Sequence, residues 1–263
     1  MIKKRLIPKL LIKHQYLASR SVPVLVTTKS FRNPTRVGSP VSQAKIYEAQ
    51  LADELVVLNI DDTAIGSDEM MLALVERLAR ETFMPLTVGG GVKQVDDFGR
   101  LLERGADKVS INTMAIAYPG LITMAANRYG TQCVVVSIDF RTNSSGQSMV
   151  AINHAQTITN RAVADWAIAA VSYGAGEILL CDADRDGSCS GLNCEVGSAV
   201  AAAVPVPVIL SGGCGLADHF VRGFVDGHAD GVAAGTYFCF RDQNPMQTRS
   251  HIRNAGISIR MET

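Results

Sequence analysis

Neither sign of charge is in excess in this chain: its 263 residues hold 25 lysines and arginines against 25 aspartates and glutamates. That balance removes net charge as a reason to expect nucleic acid as a partner. No apolar run reaches the roughly 18 residues that a membrane-spanning helix needs, so no membrane is expected either. The opening Met1-Ile-Lys-Lys-Arg-Leu-Ile-Pro8 is too short and too soon interrupted for a secretory signal. The six cysteines, Cys133, Cys181, Cys189, Cys194, Cys214 and Cys239, form no regular framework. They read as free thiols of a reducing cytoplasm. Cys181, Cys189 and Cys194 have no CxxC pair and no neighbouring histidine, so no metal site is expected. No linker-like stretch divides the chain, and one domain over residues 1–263 suits an α/β barrel.

What the chain does have is a repeat at half its length. Glu54-Leu-Val-Val-Leu58 matches Glu177-Ile-Leu-Leu-Cys181, Thr87-Val-Gly-Gly-Gly91 matches Leu210-Ser-Gly-Gly-Cys214, and Gly105-Ala-Asp-Lys-Val109 matches His228-Ala-Asp-Gly-Val232. Residues 54 and 177, 87 and 210, and 105 and 228 all lie 123 apart. Eight short apolar runs bounded by turn residues read as strands: Arg5–Ile12, Glu54–Ile60, Met84–Val88, Lys108–Ile111, Cys133–Asp139, Glu177–Cys181, Val206–Ser211 and Gly231–Ala234. Their near-continuous apolar character indicates burial on both faces, as in a parallel sheet. Between them, Asp68–Arg80 sets Met71, Leu74, Val75 and Leu78 on one helical stripe. Val95–Arg104, Ala162–Tyr173 and Asn193–Val204 follow the same period. The pattern predicts a (β/α)8 TIM barrel with a two-fold half-barrel repeat. An open doubly wound sheet is the alternative and explains the repeat less well. Ser19–Ser39 lacks periodicity and follows the first strand, which makes it a lid candidate or a disordered insertion. Thr142–Asn153 is polar and reads as a short hairpin.

Function in such a barrel lies at the carboxyl ends of the strands. There the glycine turn at Gly90 and Gly91, with Asn112 and Thr113 beside it, offers backbone donors to a phosphate. Gly212, Gly213 and Gly235 form the counterpart in the second half. A phosphorylated ligand held at both ends is the expectation. Asp139 ends the fifth strand, where partial desolvation raises a carboxyl pKa and suits it to proton transfer. Asp182-Ala-Asp-Arg-Asp-Gly187 imitates a calcium loop, but its twelfth position is Asn193 instead of a glutamate. Asp184 and Asp186 therefore read as a pocket rim for substrate hydroxyls. At the opposite ends of the strands stand Arg5, Glu54, Lys108 and Glu177. From the residues alone these are ordinary stabilising ion pairs or a closed charge ring.

Together, Arg5-Leu-Ile-Pro8, Asp53-Glu-Leu-Val56, Thr87-Val-Gly-Gly-Gly91, Gly105-Ala-Asp-Lys-Val-Ser-Ile-Asn112, Gly174-Ala-Gly-Glu-Ile-Leu-Leu180, Asp184-Arg-Asp-Gly187 and Ser211-Gly-Gly213 resemble the cyclase subunit of imidazole glycerol phosphate synthase. The likeness spans nearly the whole chain. It implies a glutaminase partner in a heterodimer. It implies that ammonia released at the barrel base crosses the core and closes an imidazole ring at the top, without a cofactor. It also implies that Arg5, Glu54, Lys108 and Glu177 form an ammonia gate, and that Asp107 and Gln132 face the glutaminase.

The top face departs from the family pattern. Asp139 matches one of two catalytic carboxylates, but Leu11 occupies the place of the other. Asn59 replaces an aspartate, Ser19 stands where a lid lysine is usual, with Arg20 adjacent, and Gly235 replaces a phosphate-binding serine. The loss of that hydroxyl makes the second-half turn the expected weaker anion site. These departures resemble a paralogous branch associated with amidino-sugar pathways of surface polysaccharides, in which the barrel passes ammonia toward a sugar amidotransferase. A histidine-pathway cyclase and a non-catalytic scaffold are the other two readings.

Overall fold

A computed structural model describes residues 3–17, 20–240 and 243–260 of the chain. Its strands are β1 (Arg5–Leu17), β2 (Arg20–Lys29), β3 (Arg32–Gly38), β4 (Leu55–Asn59), β5 (Leu86–Gly89), β6 (Lys108–Ile111), β7 (Val134–Thr142), β8 (Ser148–Ile152), β9 (Thr157–Ala162), β10 (Glu177–Asp182), β11 (Val208–Ser211) and β12 (Gly231–Ala234). Eight of them close a parallel barrel in the order β1-β4-β5-β6-β7-β10-β11-β12, with β12 returning to β1 through Arg5 opposite Gly231. Helices alternate with these strands and cover the barrel. The architecture is therefore a (β/α)8 TIM barrel. Among the described residues no helix is long and apolar enough to cross a membrane.

Strand alternation sorts the core into two layers. On β1, Leu6, Leu10 and Ile12 point outward into the large cluster shared with the helices. Ile7 points into the bore and packs with Val56, Val135, Leu179, Cys181, Ile209 and Ala233. The helices begin where side chains can cap them. Asp68 accepts a hydrogen bond from Met71 N at the start of Glu69–Glu81, and Asn193 accepts one from Val196 N at the start of Cys194–Ala203. At Val95–Glu103 the side chain of Asp97 accepts from the N–H of Gln94, half of a capping box.

Two strands overshoot the barrel. β1 runs on to Leu17 and pairs antiparallel with β2, which pairs with β3. β7 runs on to Thr142 and pairs antiparallel with β8, which pairs with β9. The expected aperiodic stretch Ser19–Ser39 is thus mostly sheet. Pro23 and the polar flanks disguise an alternation in which Val22, Val24 and Val26 face Leu11 while Leu25 faces the outer core. Ser19 itself lies outside the described residues, and of Arg20 only the backbone is described. The hairpin expected at Thr142–Asn153 is β7–β8.

The repeat holds with one adjustment. β4 and β10, and β6 and β12, correspond at 123 residues. The glycine turns correspond one residue closer, Gly90 with Gly212 and Gly91 with Gly213. All four have positive φ, at 88° and 80° in the first half and 97° and 105° in the second. A Cβ on Gly90 would lie 1.9 Å from Asn59 O, and one on Gly212 would lie 2.4 Å from Asp182 O. Gly146 also has positive φ but nothing within 4 Å of its would-be Cβ. Gly146→Ala is expected to lose only the left-handed penalty of about 1–2 kcal/mol. Gly90→Ala is expected to lose about 2 kcal/mol more, because backbone must move to admit the methyl. Urea unfolding of the two variants measures the difference, and equal losses would show that the turn yields without strain.

Candidate functional site

The base of the barrel is closed by four charges. Arg5 reaches Glu54 at 2.8 Å and Glu177 at 2.5 Å, and Lys108 reaches each of the same carboxylates at 2.7 Å. The cations and anions alternate, so every neighbour in the ring is an opposite charge. Thr87 Oγ1 adds a hydrogen bond to Glu54 Oε1 at 2.8 Å. Burial alone would raise the pKa of Glu54, but Lys108 and Arg5 outweigh it and hold the carboxyl below its usual value. Burial likewise works against the Arg5 charge, and Glu177 and Glu54 more than compensate. Beside this ring, Asp107 and Gln132 are exposed on the basal surface. Asp107 Oδ2 accepts from Leu86 N at 2.8 Å, which fixes the side chain at the strand edge.

At the top the two glycine turns face the barrel mouth. Among the described residues no backbone acceptor takes the N–H of Gly90, Gly91, Gly212, Gly213 or Gly235. The second-half turn lines a pocket of about 390 Å³, counted with its solvent-open mouth, together with Lys9, Asp186 and Thr236. Asn112 does not serve the first-half glycine turn alone. Its Nδ2 donates to Asp139 Oδ2 at 2.6 Å and so joins the first-half turn to the end of β7. Thr113 Oγ1 accepts from Asn153 N at 3.2 Å, in the turn after β8.

Asp139 sits where proton transfer is feasible. Burial pushes its pKa up to about 7, against the opposing pull of Lys9 and His154 and with Asp186 adding to the rise. The residue is half-buried at the strand end, and desolvation is the largest of the effects on its carboxyl. Leu11 is 9 % exposed and packs with Val24 and Val26 of β2, with Leu58 and Ile60 against them. Where the family pattern has a second carboxylate, the chain has a small apolar core of its own. Asn59 is 3 % exposed and turned inward on its own loop: its Nδ2 donates to Thr63 Oγ1 at 3.1 Å and its Oδ1 accepts from Asp61 N at 3.1 Å.

The two rim carboxylates hold the roof. Asp184 accepts from Arg141 Nη1 at 2.5 Å and from Thr142 N at 2.9 Å. Asp186 accepts from Thr28 Oγ1 at 2.6 Å and from Phe31 N at 3.2 Å, and its carbonyl takes Ser30 N at 2.9 Å. Arg141 also donates through Nε to Ala155 O at 2.8 Å and through Nη2 to Ser30 O at 3.1 Å. One guanidinium therefore binds the β2–β3 turn, the turn after β8 and the loop after β10.

One residue of this face escapes a motif-based reading. Lys9 is 5 % exposed and stands in the bore of the barrel. Burial would lower its pKa, and the nearby acids, Cys181 first and then Asp186, Asp139 and Cys214, raise it. The signal was a lysine at an inward position of an otherwise apolar strand, Leu6-Ile7-Pro8-Lys9-Leu10-Leu11-Ile12.

A family model described as histidine biosynthesis protein matches residues 12–244. Across 264 aligned positions, covering 100 % of both chains, the sequence is 48 % identical to a protein of Prochlorococcus marinus (strain MIT 9313) that carries the provisional name imidazole glycerol phosphate synthase subunit hisF2.

The environment of Asp139 gives a pH signature. Its raised pKa favours the folded chain most fully below the ordinary carboxylate pKa of 3.8, and that contribution is lost as pH rises toward about 7. A carboxyl-carbon NMR titration of Asp139 is expected to show a midpoint near 7, moving higher in Lys9→Met as a neighbouring cation is removed. Asp139→Asn is expected to be no less stable than the parent chain at pH values above that midpoint. A midpoint in the ordinary carboxylate range would contradict the desolvated site.

Proposed function

We propose a function from one premise: the chain belongs to the histidine biosynthesis protein family, and within it to the cyclase-subunit family of imidazole glycerol phosphate synthase. In this reading it is the HisF-like barrel subunit of a glutamine-dependent amidotransferase complex. It takes ammonia from a glutaminase docked on its base and supports amidation of a nucleotide-sugar or polysaccharide precursor. The closed ring of Arg5, Glu54, Lys108 and Glu177 carries the proposal. Two buried carboxylates and two half-buried cations are costly to desolvate, and the same volume filled with apolar side chains would stabilise a barrel at least as well. A ring that can admit a small polar molecule gives those charges a use. Asp107 and Gln132, exposed beside it, supply the docking surface.

The top face supports ammonia supply over cyclisation. Leu11 removes one member of an acid/base pair, a group that typically contributes about 10²–10⁴-fold to rate. Asp139 alone retains a pKa suited to proton transfer. The cyclase reading draws its support from the provisional name of the Prochlorococcus relative. In either case a phosphorylated ligand occupies the two glycine turns, and the reaction needs no metal or organic cofactor.

Two measurements test this proposal. Co-expression with a glutaminase encoded in the same genome, followed by size-exclusion chromatography with light scattering, is expected to yield a 1:1 complex. Separate elution at micromolar concentration would refute docking. In the second, the purified barrel is given the histidine-pathway nucleotide and ammonium salts, and turnover is expected well below about 1 s⁻¹. Leu11→Asp is expected not to restore it, because the new carboxylate would lie among Val24, Val26 and Leu58. Turnover at or above that rate would instead establish the cyclase reading.

A further inference from the structure

Among the described residues, Lys9 carries a charge with no direct partner. Among the described residues, no ion pair and no hydrogen bond engages its ammonium, although the side chain is 95 % buried, being 5 % exposed. The acids that act on it, Asp186 and Asp139, do so without direct contact. Cys181 and Cys214 do not neutralise it at neutral pH. Burial raises both thiols, Cys181 to about 12, so both stay protonated. Among the described residues this ammonium, which lines the pocket, has no hydrogen-bond acceptor for its three donors.

The neighbouring backbone has the complementary deficit. Lys9 lines the same pocket as Gly212, Gly213 and Gly235, whose N–H groups have no backbone acceptor among the described residues. Several donors and one cation converge on one cavity whose one carboxylate, Asp186, is bonded to Thr28 Oγ1 and Phe31 N and not to Lys9. An oxyanion satisfies all of them at once. A covalent role for Lys9 as an imine-forming amine fits less well, since that chemistry needs a neutral amine and the nearby Asp186 and Asp139 favour the charged form.

We propose that Lys9 is the specificity-determining cation of the second-half pocket, its ammonium binding an oxygen of a phosphate ester seated on the Gly212, Gly213 and Gly235 amides. The proposal rests on the phosphate reading above and reverses the ranking expected from the missing hydroxyl at Gly235. A full charge reaching in from β1 more than replaces a neutral donor, so the second-half turn becomes the tighter anion site.

Crystals of the full chain and of Lys9→Met and Lys9→Arg, soaked in graded inorganic phosphate, test this, with calorimetric titration of the same anion in solution. In the parent chain, phosphate is expected beside Gly213 and Gly235 first, with Lys9 Nζ within hydrogen-bond distance. Lys9→Met is expected to weaken that site about ten- to a hundredfold, as loss of a charged hydrogen bond does, and to leave filling beside Gly90 and Gly91 unchanged. Lys9→Arg is expected to retain most of the affinity. If Lys9→Met fails to fold, Lys9→Gln replaces it, with first-half filling as the internal control for folding. Unchanged second-half affinity in the apolar variant, earlier filling of the first-half turn in the parent, or a phosphate out of reach of Lys9 (an adventitious ion only) would each overturn the role of Lys9. All three would leave the phosphate reading intact. Filling of neither turn in the parent chain would overturn that reading and the proposal with it.

Discussion

A closed parallel barrel sends every second residue of eight strands into a narrow bore, and whatever stands there must be satisfied without water. This constraint orders the present structure from base to mouth. At the base the inward residues are charged, and the ring closes because Arg5 and Lys108 alternate with Glu54 and Glu177. Above it comes an apolar layer built on Ile7, Val56, Leu179 and Ile209. Higher still the bore turns polar, with Lys9, Ser137 and Cys181, before the strand ends open onto the glycine turns. The polarity of each layer follows from what it faces: the basal surface, the other strands, or the upper pocket.

Much of this was legible in the amino-acid sequence, because the barrel repeats simple rules. Short Val-, Ile- and Leu-rich runs gave all eight barrel strands to within a few residues. The apolar stripes of Asp68–Arg80 and Asn193–Val204 located two helices, and the side chains of Asp68 and Asn193 cap them. The ring residues stood out as charges at the first position of apolar strands. Three features were less legible, each for a physical reason. In β2 a proline interrupts the valine alternation, and pairing with the overshoot of β1 overrides that local signal. The glycine turns slipped by one residue because a run of glycines carries no side chain to fix the register. Lys9 went unseen because a lysine on a strand ordinarily lies at a surface, and only closure of the barrel turns that position inward.

The two ends of the barrel have diverged in chemical character. The base retains every charge that its family pattern implies, in mutually satisfying geometry. At the top, Leu11 has become part of an apolar patch under β2, Asn59 is spent on its own turn, and the rim carboxylates Asp184 and Asp186 are engaged by loops. Among the described residues the amides of the glycine turns have no backbone acceptor and Lys9 has no ion-pair partner, while Asp139 is bonded to Asn112. The proposed anionic ligand fits this set of donors, and Leu11 leaves no second carboxylate opposite Asp139.

The roof over this pocket is an arch, and Arg141 is its keystone. Both overshooting strands continue the barrel wall upward, and their hairpins meet at a single guanidinium that bonds Ala155 O, Ser30 O and Asp184. A loop can open by small independent torsions, but an arch opens only when its keystone lets go. Lifting either hairpin would break the bonds of Arg141 together with those that Asp186 makes to Thr28, Ser30 and Phe31, so the two hairpins are held as one piece.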